Sequence, residues 1–340
     1  MAGKARVKGL IFMILCLFLE GCAGKNPGTE KEREGGPLKV VVTLFPYYDF
    51  TRQIAGDMVD LELIVPAGMD SHSFEPTPAD MRKIEEADVL IMNGGAMEHW
   101  VREVLKALEP SSMTVVVMME YVDAVEEEIV EGMEEETHDH SHDKDHDSHD
   151  QTGESKEKDH EHEPEYDEHI WTSPVNAMAC TDAIAEALSK ADPCRQKEYE
   201  AGRDRYEKEL LRLHEGFLEV AENRKRNTII VGDKFPFRYL ADEYGFDYRA
   251  AFSGCSTDTE PSARTIAYLI DKVREEQLPV VYYLELSSPR VSEIISEETG
   301  ADMRLLHSCH NVTRKELEDG ITYVELMEQN IENLRKGLDE

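Results

Sequence analysis

Apolar positions along this chain fall into two alternating patterns. Short continuous runs, LKVVVTLF (38–45), VDLELIVP (59–66), DVLIMNG (88–94) and MTVVVMM (113–119), read as buried strands. Between them lie YYDFTRQIAGD (47–57), TPADMRKIEEA (77–87) and HWVREVLKAL (99–108), spaced as helices with one apolar face. The scheme repeats later, with strands NTIIVGD (227–233), FDYRAAF (246–252), VVYYLEL (280–286) and ADMRLLH (301–307). The helices there are FPFRYLADEYG (235–245), SARTIAYLIDKVREEQ (262–277), PRVSEIISEETG (289–300) and a terminal one over 316–338. Strands alternating with helices imply right-handed βαβ crossovers. The expected fold is therefore α/β, with two doubly wound parallel-sheet domains.

Between the halves, Asp192-Pro193 reads as an N-cap and first helical position. Tyr199, Tyr206, Leu210, Leu213, Phe217 and Val220 then recur at intervals of three, four and seven. A helix of thirty-odd residues over 192–226 would span ~50 Å, long enough to join both domains stiffly. A coiled-coil dimerisation segment is the competing reading of this stripe. The predicted boundaries are 38–191 for the N-terminal domain, 192–226 for the linking helix and 227–340 for the C-terminal domain.

One stretch breaks both patterns. From Glu120 to Glu168 there are 22 Asp or Glu against three Lys, a net −19 of the chain's −35. With few apolar residues, such a segment cannot bury enough surface to offset its ordering entropy, so 123–168 reads as a solvated loop. It carries His138, His140, His142, His146, His149, His160 and His162, seven of the thirteen histidines. Imidazole among carboxylates suits zinc and its first-row neighbours. An acidic solubilising linker does not account for histidine at every second or third position. The acidic balance also argues against nucleic-acid partners and against adsorption to anionic lipid.

The start of the chain is different again. Lys4, Arg6 and Lys8 precede the apolar run from Leu10 to Leu19, which has secretory-signal features and is too short to span a bilayer. Leu19-Glu20-Gly21-Cys22 resembles a bacterial lipobox, which implies cleavage after residue 21 and acylation of Cys22. Residues 22–37 then form a flexible tether outside the cytoplasm, anchored to the membrane by lipid. Export permits disulfides among Cys180, Cys194, Cys255 and Cys309, and the expected pairs are Cys255 with Cys309 and Cys180 with Cys194.

Ligands of doubly wound sheets bind beyond the carboxyl ends of the strands. Those places offer Asp70 and His72; Asp167, Glu168 and His169; Asp233 and Lys234; Glu285; and His307, Cys309 and His310. Three imidazoles from distant loops plus a carboxylate would make a tetrahedral zinc site. His99 and His214 fall within helices and read as surface or packing residues.

The strings LFPYYDFTRQIAGD, PAGMDSHSFEPTPAD, EADVLIMNG, DEHIWTSP and TEPSARTI, with the His-rich loop and the long helix, resemble the zinc-type solute-binding proteins of metal ABC transporters. The resemblance implies a monomeric receptor, not an enzyme, that holds Zn²⁺ between two domains and delivers it to a permease and its ATPase subunit. It carries the family's first and second histidines onto His72 and His169. The third histidine's place holds Asp233 or Lys234 here, and the late carboxylate is matched by His307. The expected ligands are therefore His72, His169 and His307, with Asp233 or Glu285 as oxygen donor and His310 as the alternative from HSCH. Manganese is the runner-up metal, with iron carried by the same class. An adhesin or scavenging lipoprotein without a permease is the alternative role. A zinc hydrolase lacks any HExxH helix or nucleophile motif in this sequence.

Overall fold

In a computed structural model, the structure describes residues 36–108, 112–133, 166–256 and 260–339. The signal region, Cys22 and the seven histidines from His138 to His162 lie outside the described residues.

The N-terminal half builds a sheet from β1 (Leu38–Val42), β2 (Val59–Leu63), β3 (Val89–Met92) and β4 (Thr114–Val117). The C-terminal half uses β5 (Thr228–Phe235), β6 (Asp247–Ser253), β7 (Val280–Tyr283) and β8 (Asp302–Leu305). Every pairing is parallel, and the orders β2-β1-β3-β4 and β6-β5-β7-β8 are the same. In each sheet the order reverses beside the first strand, opening a crevice at the carboxyl ends. The two crevices face each other across a cleft.

Helices α1 (Phe45–Ala55), α2 (Pro78–Glu85), α3 (His99–Ala107) and α4 (Pro174–Ala191) belong to the first half. The linking helix is α5 (Gln196–Asn223). The second half adds α6 (Arg238–Tyr244), α7 (Ala263–Glu276), α8 (Arg290–Thr299), α9 (Arg314–Asp319) and α10 (Tyr323–Leu338). The single terminal helix expected over 316–338 is thus two. Gly320, at φ 81°, ends α9, and Thr322 starts α10 with a capping box.

All six apolar stripe residues of α5 are buried, and the helix lies against α1, α4 and α10. The stripe is therefore filled within the chain, which removes the coiled-coil reading. At Gly202 a side chain would collide with the Ile54 carbonyl, so glycine lets α5 approach α1 closely. Buried Asp49 on α1 ties the halves together. Its carboxylate accepts from the Tyr323 backbone N–H of α10 (2.8 Å), Tyr206 Oη of α5 (3.3 Å) and Arg52 (2.6 Å). Arg52 in turn donates to the Ile321 carbonyl at 2.7 Å. One continuous apolar core joins the first sheet to the near face of the second, and a smaller core fills the space under α7 and α8.

Two further expectations need correction. Residues 123–133 and 166–168, assigned by composition to the solvated loop, are held in place. Glu126 bridges Tyr166, Asp167 N–H donates to the Val125 carbonyl (2.9 Å), and Val125 N–H reaches Tyr239 Oη (3.2 Å). Tyr248 and Tyr268 of the second half donate to Glu128 and Glu131 at 3.2 and 3.1 Å. Partners from the other half supply what this segment's own composition lacks.

The expected disulfides are also absent, and all four cysteines are free thiols. Cys180 is buried inside α4, whereas Cys194 is exposed beyond its end, after eleven helical residues or ~16 Å of rise. Cys255 follows β6 and Cys309 follows β8, the two opposite edges of one sheet, about 14 Å apart at ~4.8 Å per strand. A disulfide needs Cα atoms within about 7 Å.

Candidate metal centre

Each histidine at the cleft stands on a locally built turn. His72 lies in a 3₁₀ turn (Ser71–Ser73) after β2, whose start Asp70 caps by accepting from the His72 backbone N–H at 2.9 Å. His169 ends the segment leading into α4, and Ser173-Pro174 begins that helix, with the serine hydroxyl capping Val175 and Asn176 N–H groups. His310 lies in the loop between β8 and α9. There Cys309 adopts a left-handed backbone (φ 59°), which separates the direction of His307 from that of His310.

His72, His169 and His310 come together, with one ring nitrogen from each inside a group spanning no more than 4.8 Å. Their ring centroids form a near-equilateral triangle of 6.1, 5.6 and 5.8 Å. Nitrogens bound to one zinc at ~2.0–2.1 Å stand about 3.4 Å apart, so the trio needs only a small contraction to bind. His169 is 2% exposed, and its Nδ1 lies 3.2 Å from Asp167 Oδ1, leaving Nε2 as the free ligand nitrogen. A carboxylate behind a histidine fixes the tautomer and raises its basicity. The His310 ring contacts Ser71 Oγ, so the C-terminal loop reaches across to the His72 turn.

Two further residues hold that crossing. Asn311 Nδ2 donates to the Pro66 and Met69 carbonyls (2.8 and 2.7 Å), and Trp171 Nε1 donates to the Ser308 carbonyl (2.8 Å). Trp171 also packs against the His169 and His310 rings, both centroids at 5.5 Å.

Electrostatics separate the three imidazoles. Burial lowers the His72 pKa to about 4, helped by the neighbouring His169. Burial also drives His310 well below its usual value, with His169, His72 and Lys234 adding to the effect. For His169 burial acts downward too, but Asp167, by charge and hydrogen bond, with Glu127 and Glu168, outweighs it and the pKa rises. Two rings are thus held neutral and ready to ligate, while the third is the most basic.

The other expected donors are placed differently. His307, 2% exposed, is buried behind the cleft. Its backbone is clamped by Asn330 (2.7 and 2.8 Å), and its Nδ1 accepts from Cys309 N–H at 2.9 Å. It is His310, three residues on, that joins the trio. Glu285 accepts from Ser308 N–H (2.9 Å) and Ser308 Oγ, and Asp233 from Lys234 N–H (2.8 Å) and Ser287 Oγ. Both carboxylates line the same cleft of about 440 Å³, as do Asp70 and Lys234, without entering the imidazole group. Glu168 turns away to accept from Met97 N–H at 2.8 Å. His214 bonds Tyr244 Oη at 3.0 Å, and His99 opens α3. Ser71, Asn311 and Trp171 were not among the sequence candidates. Only their position beside the strings carrying His72, His169 and His310 hinted at them.

Residues 40–337 match the model of the family described as zinc-uptake complex component A, periplasmic (ZnuA). The chain is 31% identical over 331 residues to the high-affinity zinc uptake system protein ZnuA of Bacillus subtilis, covering 97% of both chains. It is 28% identical over 335 residues to the zinc-binding lipoprotein AdcA of Streptococcus pneumoniae, covering 98% of this chain but 61% of that longer protein. The Zn(II)-bound ZnuA-like domain of pneumococcal AdcA superposes with a TM-score of 0.69 at 27% identity, over 90% of this chain and 100% of that domain.

Proposed function

The chain belongs to the zinc-uptake complex component A family, and from that premise we propose that it is an extracytoplasmic receptor that captures zinc for an ABC-type importer. The carrying observation is the triangle of His72, His169 and His310 lining the cleft. Three imidazole donors favour zinc over manganese, which prefers carboxylate and water. With no fourth side chain in that group among the described residues, the remaining tetrahedral position is left for solvent.

The cargo is held without chemistry: Asp167 orients His169, Ser71 orients His310, and Trp171 with Asn311 keeps the donors from the two halves in register. Delivery is to a permease and its ATPase subunit, and acylated Cys22 holds the receptor at the membrane. The seven histidines from His138 to His162 collect further zinc at weaker sites.

Metal analysis of the purified chain, followed by competition between zinc and manganese, tests the reading. One tight zinc per chain is expected, weakened strongly by His72→Ala, His169→Ala or His310→Ala. Tight binding that survives all three substitutions would overturn it.

A further inference from the structure

Behind His169, on the side away from the cleft, a second group of donors converges. Asp167, Cys255 and His169 each bring one ligand atom into a cluster within 4.8 Å. Asp167 is 1% exposed, and its Oδ2 has no hydrogen-bond partner although Oδ1 accepts from the His169 backbone N–H at 2.7 Å. Glu127 stands alongside, accepting from Cys255 N–H at 3.3 Å through one oxygen while its other, buried oxygen has no partner.

The backbone leaves room here for a reason. At Gly254 a Cβ would come within 2.9 Å of both Asp167 Oδ2 and the Phe235 carbonyl, and 3.3 Å from His169 Nδ1. Any larger residue would fill the space between these donors. A buried Asp167 oxygen left without a partner beside a thiol, with a second unpartnered oxygen on neighbouring Glu127, destabilises a fold unless something neutralises it, and a bound cation would do so. Thiolate, imidazole and carboxylate form a donor set suited to zinc and cobalt.

We propose that Asp167, Cys255 and the Nδ1 side of His169 form a second, transient station for the same class of divalent cation, from which the ion passes through the His169 ring to the cleft. The proposal rests on the cleft trio being the tight site.

A neutral imidazole has one ligating lone pair. When Nε2 binds the cleft ion, the ring proton sits on Nδ1 and points at Asp167. When the ion is at the station, Nδ1 ligates and the proton resides on Nε2. The thiol proton of Cys255 is released to solvent on loading and regained on departure, so charge and protons balance without any redox partner. The two positions are therefore filled alternately. The chain also enters and leaves residues 134–165 at Met133 and Tyr166, next to Glu127 and Asp167 in sequence and fold.

Cobalt(II) is the probe, because ligation by thiolate gives a near-ultraviolet charge-transfer band that imidazole and carboxylate do not. In the full chain, one equivalent should fill the cleft without that band. In the His72→Ala/His310→Ala variant, the band should appear and saturate at one cobalt per chain. Adding Cys255→Ser should abolish the band and weaken the remaining cobalt binding at least tenfold. Cys255→Ser alone should retain wild-type tight zinc affinity, showing that it folds. No band in the double variant, or a band that survives Cys255→Ser, would overturn the station. Failure of the tight-site reading would instead appear as unchanged zinc affinity in the double variant.

Discussion

The two halves share one strand order but load their strand ends differently. At the rim of the first half, His72 and His169 are free to ligate because Asp70 and Asp167 hold the turns they stand on. At the rim of the second half, Asp233 and Glu285 are engaged by serines and backbone N–H groups, and Lys234 adds a positive charge. Its contribution to the trio, His310, sits in a loop fastened to the first half by Asn311, Trp171 and Ser71. The fold provides two equivalent crevices, and local hydrogen bonding decides which presents its imidazoles to the cleft. The trio is consequently assembled on one rim, with the other acting as the facing wall.

The largest test of that asymmetry compares rim ligands with the buried imidazole behind them. His169→Ala should weaken tight zinc binding by more than about a hundredfold, since even an orienting partner contributes ~10–100-fold. His307→Ala should change zinc affinity less than about threefold in the same calorimetric titration. Equal losses would return His307 to the ligand set. Next in size, Asp167→Asn should reduce zinc affinity by ~10–100-fold while leaving His72 and His310 in place.

The pH dependence follows from the divided electrostatics. His169 has a raised pKa, so it protonates first as pH falls, and zinc affinity should drop about tenfold per pH unit below that point. His72 remains neutral down to about 4, and His310 is held lower than usual as well. In metal-free protein these two depressed values act on stability with a definite sign. The unfolded chain binds their protons near 6.5 and the folded chain does not, so stability from them is full above 6.5 and declines as pH falls toward 4. His169 acts oppositely: its stabilisation is full below 6.5 and is lost as pH rises through its raised pKa. Thermal melting of metal-free protein should show the acid-side decline, reduced in His72→Ala.

Releasing the crossing loop should matter less. Asn311→Ala removes two hydrogen bonds between the halves, each worth ~1 kcal/mol, and should loosen zinc roughly tenfold with a lower melting temperature. The smallest expected change has the opposite sign. Lys234→Met removes a cation that disfavours charge on His72 and His310, and should tighten zinc by about fivefold, less in high salt. An effect independent of salt would point to a packing role instead.

Much of the architecture was legible in the chain. All eight expected strands appear; the central β3 and β7 are apolar throughout, as a parallel strand covered on both faces must be, whereas the edge strands β2, β6 and β8 carry charged residues. The α5 stripe was equally legible, since a helix packed on one side leaves a 3.6-residue repeat. His72 and His169 could be proposed because each follows a recognisable strand-end or helix-start motif.

The choice between His307 and His310 was not legible. Both follow β8 in HSCH, and which one faces the cleft depends on the left-handed Cys309 and on Asn330, a residue on α10. The order of residues 123–133 was hidden for the same reason, as its partners are tyrosines more than a hundred positions later. The cysteine pairs failed because spacing along the chain carries no distance across a sheet. By itself the sequence determined periodicity, and with it the elements, the two-sheet plan and the class of donors, because these depend on neighbours along the chain. The tertiary structure alone decided which donors meet, because that depends on backbone turns and hydrogen bonds made between residues far apart in the chain.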